Sequence, residues 1–321
     1  MDKPKIFITR RLPKEVVDPY RNQLDIEMWS EEQDPVNRDV LLRKASTCQG
    51  LLTMLTDDVD EEIIQHSKKL SIVANMAVGY DNIDVSLATK HKISITNTPD
   101  VLTETTADLA FSLLMATARR LLEANQYIKE NNWNHWSPLM LAGSDIHHKT
   151  IGIVGMGRIG EAVARRAKGF NMNVLYHNRT RKPEAEKEIG ADFVAFDTLL
   201  EQADYVVCLT PLTDETKYMF NKKAFRKMKE SSFFINVSRG ATMDETALHE
   251  AIVDNEIAGA GLDVFENEPI NAAHPLVSLP EVVCLPHIGS ATEETRYKMM
   301  RMCLDNLVRH FEGKSLISPV L

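Results

Sequence analysis

Ile151-Gly152-Ile153-Val154-Gly155-Met156-Gly157-Arg158-Ile159-Gly160 is an apolar run that opens into glycines spaced G-x-G-x-x-G. The pattern reads as a strand, a tight turn and the start of a helix that continues through the alanine-rich stretch Glu161–Gly169. Each glycine has its own reason. Gly155 permits the turn, Gly157 lets a pyrophosphate approach the backbone, and Gly160 lets the helix lie close on the strand. The pyrophosphate would meet the helix N-terminus, where free N–H groups and the helix dipole favour negative charge. The candidate cofactor contacts on this turn are therefore Gly155, Met156, Gly157, Arg158, Ile159 and Gly160. The alternative, a glycine turn without a ligand, accounts less well for a strand directly before it and a helix directly after.

On both sides of this turn, apolar runs alternate with helical patterns, as in parallel sheets with helices on both faces. Before it, strands are predicted at Lys5–Thr9, Gly50–Thr53, Ile72–Asn75 and Ser94–Thr96, with helices such as Asp60–His66 between them. From Thr150 a second series follows: Thr150–Val154, Asn173–Tyr176, Tyr205–Leu209, Phe233–Asn236, Gly259–Asp263 and Val282–Leu285. Between the two, Thr103 to Asn131 lacks Pro and Gly. It spaces Leu109, Leu113, Leu114, Ala116, Leu121 and Leu122 for burial, predicting one long helix. Asn134–Lys149 then breaks the pattern, and a last helix, Glu293–Glu312, would return to the first domain. The expected fold is α/β with two doubly wound parallel-sheet domains. A Rossmann domain, residues 103–289, is inserted into a flavodoxin-like domain made of residues 1–102 and 290–321.

A chain of 321 residues can build two cores, and 44% apolar with 26% charged residues is ordinary for a globular protein. A net charge of -9 argues against a nucleic-acid footprint but leaves room for a local basic pocket. The apolar stretch Leu109 to Ala118 is too short to span a bilayer. Lys3-Pro4-Lys5 runs straight into Ile6-Phe7-Ile8 with no signal core, so no export is expected. Cys48, Cys208, Cys284 and Cys303 show neither CxxC nor Cys/His spacing. They read as small core residues of a cytoplasmic protein, with no disulfide framework and no metal site.

The strand after the fingerprint selects the dinucleotide. Where an NAD site places Asp or Glu for the ribose 2′-hydroxyl, this strand ends Tyr176-His177-Asn178-Arg179-Thr180-Arg181-Lys182, with no carboxylate before Glu184. An acid there would repel a 2′-phosphate, whereas Asn178, Arg179, Thr180 and Arg181 can receive it. Two charge-assisted hydrogen bonds, at about 1.5–3 kcal/mol each, shift preference towards NADP(H) by roughly tenfold or more. A solvated basic loop is the alternative.

Arg239, Glu268 and His287 follow successive late strands of this domain, at the strand ends where doubly wound sheets bind ligands. The types suit reduction of a 2-keto acid. Arginine recognises a carboxylate with a planar fork. A hydride added to the carbonyl carbon needs a proton on the oxygen, which histidine can give, and a neighbouring carboxylate fixes a histidine's tautomer. Singly, each has a structural alternative: a core histidine, an ion-paired arginine, a surface acid before Pro269. Their joint placement favours the catalytic reading.

With these motifs in place, the chain resembles the D-isomer-specific 2-hydroxyacid dehydrogenase family over essentially its whole length. The resemblance rests on Val78-Gly79-Tyr80-Asp81-Asn82-Ile83-Asp84, the fingerprint, Asn236-Val237-Ser238-Arg239-Gly240, Gly261-Leu262-Asp263-Val264-Phe265, Glu268-Pro269 and Pro286-His287-Ile288-Gly289-Ser290. Within the family it is most similar to NADPH-dependent glyoxylate/hydroxypyruvate reductases, through Asn178–Arg181 and the run from Thr98 to Asp108. It is also similar to bacterial 2-ketogluconate reductases, and the fold serves elsewhere as a cofactor-sensing corepressor. The resemblance implies that Arg239 holds the substrate, Glu268 supports His287, and His287 donates the proton. It further implies that the amides of Val78 and Gly79 bind the carboxylate with Leu55 nearby, and that Thr106, Pro211, Thr216, Val237, Asp263 and Gly289 contact the cofactor. NADPH is the expected cofactor with NADH possible, no metal is expected, and the implied assembly is a homodimer through the cofactor domains.

Overall fold

The computed structural model describes residues 2–320. The chain divides into two compact units, Met1–Leu102 with Ala291–Leu321, and Thr103–Ser290. Ser290, expected with the C-terminal segment, falls in the second unit. Its neighbour Gly289 is packed there, and a Cβ at that glycine would lie 3.4 Å from Asp263 and Thr106 atoms.

In the first unit β1 (Lys5–Ile8), β2 (Asp25–Met28), β3 (Gly50–Thr53), β4 (Ile72–Asn75) and β5 (Ser94–Thr96) form one sheet ordered β2-β1-β3-β4-β5. Every pairing is parallel. Parallel strands need crossover helices, and these cover the sheet so that β3 and β4 are buried throughout. Side-chain caps start the helices cleanly: Asp60 accepts from the Ile63 N–H and Asp84 from the Leu87 N–H. The Glu293–Phe311 helix, capped by Thr292, buries Met299, Cys303, Leu304 and Leu307.

The second unit holds β6 (Thr150–Val154), β7 (Asn173–His177), β8 (Ala191–Phe193), β9 (Tyr205–Cys208), β10 (Phe233–Asn236), β11 (Gly259–Leu262) and β12 (Val282–Cys284). Their order is β12-β11-β10-β9-β6-β7-β8, again all parallel, so the strand order reverses beside β6. That reversal is the place where a doubly wound sheet opens a ligand crevice, and the glycine fingerprint leads out of β6 directly into it. The two doubly wound α/β sheets are those expected from the sequence. The edge strands β2 and β8 were not foreseen, because each is short and buries a minority of its residues.

The helix predicted from Thr103 to Asn131 is two helices, Thr103–Ala118 and Leu121–Lys129. Arg120 takes a left-handed backbone (φ 51) between them. The cause is tertiary. Ser144 donates its N–H to the Ala118 carbonyl at 2.8 Å, and Gly143 packs so tightly there that a Cβ would lie 2.3 Å from that oxygen. With the last carbonyl taken by a returning segment, the helix cannot continue. Leu113 and Leu114 are buried as expected, whereas Leu121 and Leu122, beyond the break, are exposed. Among the described residues no helix is long and apolar enough to cross a membrane.

Candidate active site

β10, β11 and β12 are adjacent and parallel, so their carboxyl ends lie side by side at the roughly 4.8 Å spacing of a sheet. Beyond β10 the chain must turn with its polar backbone buried. Asn236, fully buried, makes that possible: its amide donates to the Arg239 carbonyl (3.1 Å), and its oxygen accepts from the Ser238 N–H (3.0 Å). The Thr242 hydroxyl donates to the same carbonyl at 2.7 Å. Arg239 is thereby held half-buried, with Nη1 donating to the Ser238 carbonyl at 2.9 Å.

Gly240 follows, and here only glycine fits. A Cβ would stand 1.8 Å from the Phe265 carbonyl carbon and 2.2 Å from the Glu266 nitrogen. The Arg239 turn therefore lies directly on the Phe265–Glu266 peptide, which leads from β11 towards Glu268. Glu268 folds back to accept the Phe265 N–H at 2.9 Å through Oε1, and its Oε2 meets His287 Nδ1 at 2.7 Å. Both side chains keep a partial opening, at 25% and 23% exposure.

Burial raises the Glu268 carboxyl, but its hydrogen bond to His287, the charge there, the Phe265 N–H and nearby Arg239 together hold it below its ordinary value. An ionised carboxylate only accepts, so Nδ1 of His287 is the donor and Nε2 is left for another partner. His287 itself has a left-handed backbone (φ 54), a conformation costing a non-glycine residue about 1–2 kcal/mol. The neighbouring peptide is held by Asp263, whose Oδ1 accepts the Ile288 N–H at 2.8 Å.

Asp263 carries the clearest sign of a missing partner. It is buried, and its Oδ2 has no hydrogen-bond partner. Burial pushes its carboxyl up, against the opposing pull of the Ile288 N–H, His287 and the Gly289 N–H. A buried acceptor without a donor is costly unless a ligand supplies one. The carboxamide of a nicotinamide is such a donor, and Thr106 and Gly289 stand beside the same carboxylate. At the fingerprint, Gly155 has φ 103, and a Cβ on Gly160 would lie 2.4 Å from the Gly155 carbonyl oxygen. Gly157 faces open space, with nothing within 4 Å of its would-be Cβ. It caps the Arg158–Gly169 helix without any side-chain hydrogen bond, so the residues present fit a dinucleotide. Met156 is buried, Ile159 half-buried and Arg158 exposed. Val237 is buried beside the Arg239 turn, and the Thr216 hydroxyl donates to the Pro211 carbonyl at 2.6 Å. Among the described residues no group of three or more His, Cys, Asp or Glu is placed to hold a metal ion.

The basic loop differs from expectation in one respect. Arg179 and Thr180 are exposed, and Asn178 steadies the turn by donating to the Thr180 carbonyl at 2.9 Å. Arg181, however, is engaged by Glu186, with Nε and Nη2 each 2.7 Å from a carboxylate oxygen. Glu186 is anchored in turn by the Tyr176 hydroxyl at 2.6 Å, and Arg181 and Tyr176 together hold its carboxyl down at about 2.

In the first unit, Leu55, Val78 and Gly79 are half-buried on the loops leaving β3 and β4. Those loops are tied together. Asn75 donates to the Gly79 carbonyl (3.0 Å) and to Asn82, which donates to the Asp57 carbonyl (2.8 Å), and Asn97 donates to the Val78 carbonyl (2.8 Å).

Three participants went unnoticed in the sequence. Asn236 enters the sequence reading only as part of a motif, Glu186 lies in the Pro183–Ile189 helix beyond the basic loop, and Glu245 lies in the first turn of the Glu245–Val253 helix, which Asp244 caps. A buried asparagine ending an apolar strand is the one signal that was available.

Residues 111–289 match the family model for the D-isomer specific 2-hydroxyacid dehydrogenase, NAD binding domain. A glyoxylate reductase of Korarchaeum cryptofilum is 47% identical over 313 residues, covering 97% of this chain and 94% of the relative. A crystal structure of a Thermus thermophilus protein superposes with a TM-score of 0.92 at 39% identity, covering 99% of this chain and 100% of that one. An NADPH-dependent glyoxylate/hydroxypyruvate reductase of Sinorhizobium meliloti, in complex with NADP and malonate, gives 0.87 at 34% identity, covering 99% and 97%.

Proposed function

The chain belongs to the D-isomer specific 2-hydroxyacid dehydrogenase family, and from that premise we propose that it reduces glyoxylate and hydroxypyruvate with NADPH. As a member it is an oxidoreductase of CH–OH groups that works with a nicotinamide cofactor and reduces a 2-keto acid. One observation carries the catalytic reading: the 2.7 Å contact of Glu268 with His287 Nδ1, with Glu268 anchored on the N–H of Phe265, the residue against whose carbonyl the Arg239 turn is packed.

The nicotinamide, when bound, supplies the hydride that reaches the carbonyl carbon. Arg239 would grip the substrate's carboxylate and carbonyl oxygen, drawing charge onto the oxygen as the hydride arrives. His287, its Nδ1–H fixed on Glu268, would present Nε2–H to that oxygen and give up the proton, leaving a neutral imidazole and the 2-hydroxy acid, of D configuration where its C2 is a stereocentre, as in the product of hydroxypyruvate. Asp263, with its unpaired Oδ2, would hold the carboxamide, assisted by Thr106 and Gly289. The fingerprint residues Gly155 to Gly160 would hold the pyrophosphate, with Pro211, Thr216 and Val237 lining the cofactor. In the first unit, the amides of Val78 and Gly79 would take the substrate carboxylate beside Leu55. Residues 103–290 would thus be the cofactor domain, and residues 1–102 with 291–321 the substrate domain.

The NADPH preference rests on Asn178, Arg179 and Thr180, with Arg181 joining by exchanging Glu186 for the 2′-phosphate. A homodimer is part of this reading. Trp133, Trp136 and Leu139 are 58%, 73% and 83% exposed, and Leu121, Leu122 and Ile128 are exposed as well; large apolar side chains left open to solvent in this number suit an interaction surface. Four free cysteines suit the reducing cytoplasm.

The experiment is a panel of 2-keto acids assayed with NADPH and NADH, for wild type, His287→Ala and Arg239→Ala. Glyoxylate and hydroxypyruvate with NADPH should give the highest kcat/KM, and His287→Ala should lose nearly all turnover. Near wild-type turnover in His287→Ala would remove the proton-donor assignment.

A further inference from the structure

Behind the Glu268–His287 pair stands a second carboxylate–histidine pair. Glu245 opens the Glu245–Val253 helix, which Asp244 caps by accepting the Ala247 N–H at 3.0 Å. Its Oε2 lies 3.1 Å from His274 Nε2, and its Oε1 accepts the Glu266 N–H at 2.7 Å. Both side chains are largely buried, at 17% and 19% exposure. His274 sets its ring edge-on to Phe265, with centroids 5.5 Å apart. Its Nδ1 is buried without a partner, which suits the neutral tautomer carrying its proton on Nε2 and donating it to Glu245.

The geometry centres on Phe265 and the two peptides that flank it. The Phe265–Glu266 unit is the surface on which Gly240 sits, so it fixes the height of Arg239. The N–H of Phe265 anchors Glu268, and so orients His287. The N–H of Glu266 is held by Glu245 alone among the described hydrogen bonds, and Glu245 is held in place by a capped helix and by His274. Nearby Cys284 is pushed up to about 11 by burial, with Glu245 adding to the rise, so it stays a neutral thiol and brings no second charge. We propose that Glu245 and His274 are positioning residues for catalysis: they lock the Phe265–Glu266 peptide that sets Arg239 and the Glu268–His287 pair in register. The proposal rests on the functional reading above, and it deepens that reading by assigning two residues outside the reacting groups. Displacement of reacting groups by about 1 Å costs roughly 100-fold, and loss of an outer hydrogen-bond partner roughly 10- to 100-fold.

The test uses the full-length chain and two readouts, kcat with glyoxylate and NADPH, and the far-downfield imidazole N–H proton resonance of His287, assigned by its loss in His287→Ala. Glu245→Ala should lower kcat at least ~10-fold while NADPH still binds with wild-type stoichiometry and affinity, and should shift or broaden the His287 resonance. Glu245→Gln keeps an oxygen for the Glu266 N–H and should restore both readouts to within ~3-fold of wild type in kcat. Full NADPH stoichiometry separates this from a folding defect, which would lower the number of binding sites in step with kcat. Should Glu245→Ala fail to fold, His274→Leu takes its place, with a loss of ~3-fold or more in kcat and a moved His287 resonance expected. An unmoved resonance with kcat within twofold of wild type in the folded variant overturns the proposal, as does a Glu245→Gln no better than Glu245→Ala. Absence of wild-type turnover on every 2-keto acid would instead refute the functional reading, and the resonance would still decide the role of Glu245.

Discussion

Gly240→Ala should cripple the chemistry while sparing the cofactor. The added methyl would be built 1.8 Å from the Phe265 carbonyl carbon and 2.1 Å from its oxygen, both backbone atoms that cannot rotate aside. Relief to ordinary contact requires the Arg239 turn and the Phe265–Glu266 peptide to part by about 1.5 Å. Arg239 sits immediately before the methyl and Glu268 shortly after the peptide, so the separation falls between the guanidinium and the Glu268–His287 pair. A misplacement of about 1 Å costs roughly 100-fold, which corresponds to about 2.7 kcal/mol of transition-state stabilisation. Overpacking should also cost stability, about 1–3 kcal/mol. Steady-state kinetics with glyoxylate should show kcat/KM falling ~100-fold or more, with NADPH affinity, read by fluorescence titration, within about threefold of wild type. A variant that keeps kcat/KM within about fivefold of wild type would refute the claim that this contact sets the geometry of the site.

Gly157→Ala should do the opposite: no protein atom lies within 4 Å of the new methyl, so thermal stability should hold while NADPH affinity drops ~10-fold or more, and unchanged affinity would exclude a pyrophosphate there. Glu268→Gln should lower kcat/KM ~10- to 100-fold through loss of a charge-assisted hydrogen bond. Because the folded Glu268 carboxyl is held below the 4.5 of an unperturbed glutamate, its contribution to stability is fully present above that pH and is lost as pH falls. The Tm advantage of wild type over Glu268→Gln should therefore shrink on acidification, and an advantage that grows would contradict the assignment. Glu186→Gln, by releasing Arg181, should raise the NADPH-to-NADH ratio of kcat/KM ~3-fold or more, while Arg179→Gln should lower it; no change in either would remove the loop from cofactor choice. Trp136→Glu with Leu139→Glu should convert a dimer to monomers in sedimentation velocity, and an unchanged sedimentation coefficient would place the interface elsewhere.

How much of this was legible in the sequence depends on whether a feature is local. The glycine fingerprint is, because the turn, the close backbone approach and the helix–strand packing each constrain a single residue within six positions; the turn at Gly155 and the close packing at Gly160 stand where the spacing put them. Central strands were equally readable, since burial on both faces leaves continuous apolar runs such as Tyr205–Cys208. The break at Arg120 was not. Nothing at 118–121 disfavours a helix; the stop comes from Ser144 taking the Ala118 carbonyl, with Gly143 packed against it, from more than twenty residues away. Helix propensity was overridden by a tertiary contact. The engagement of Arg181 was hidden for a related reason, since a charge run shows where positive charge is and not which acid it faces.

The site itself lies between these cases. Arg239, Glu268 and His287 are remote in sequence, yet topology alone brings them together: β10, β11 and β12 are consecutive neighbours running in one direction, so whatever follows each must emerge on the same edge. That argument fixes proximity to within a few ångströms, whereas proton transfer requires hydrogen-bond distance. The finer adjustment is made by groups that sequence reading treats as scaffolding: a buried Asn236 shaping one turn, a glycine thin enough to lie on a peptide, and Glu245 holding the Glu266 N–H of that peptide. Residue types that carry chemistry announce a site, and the residues that give it its tolerance are recognisable only once the backbone they hold can be seen.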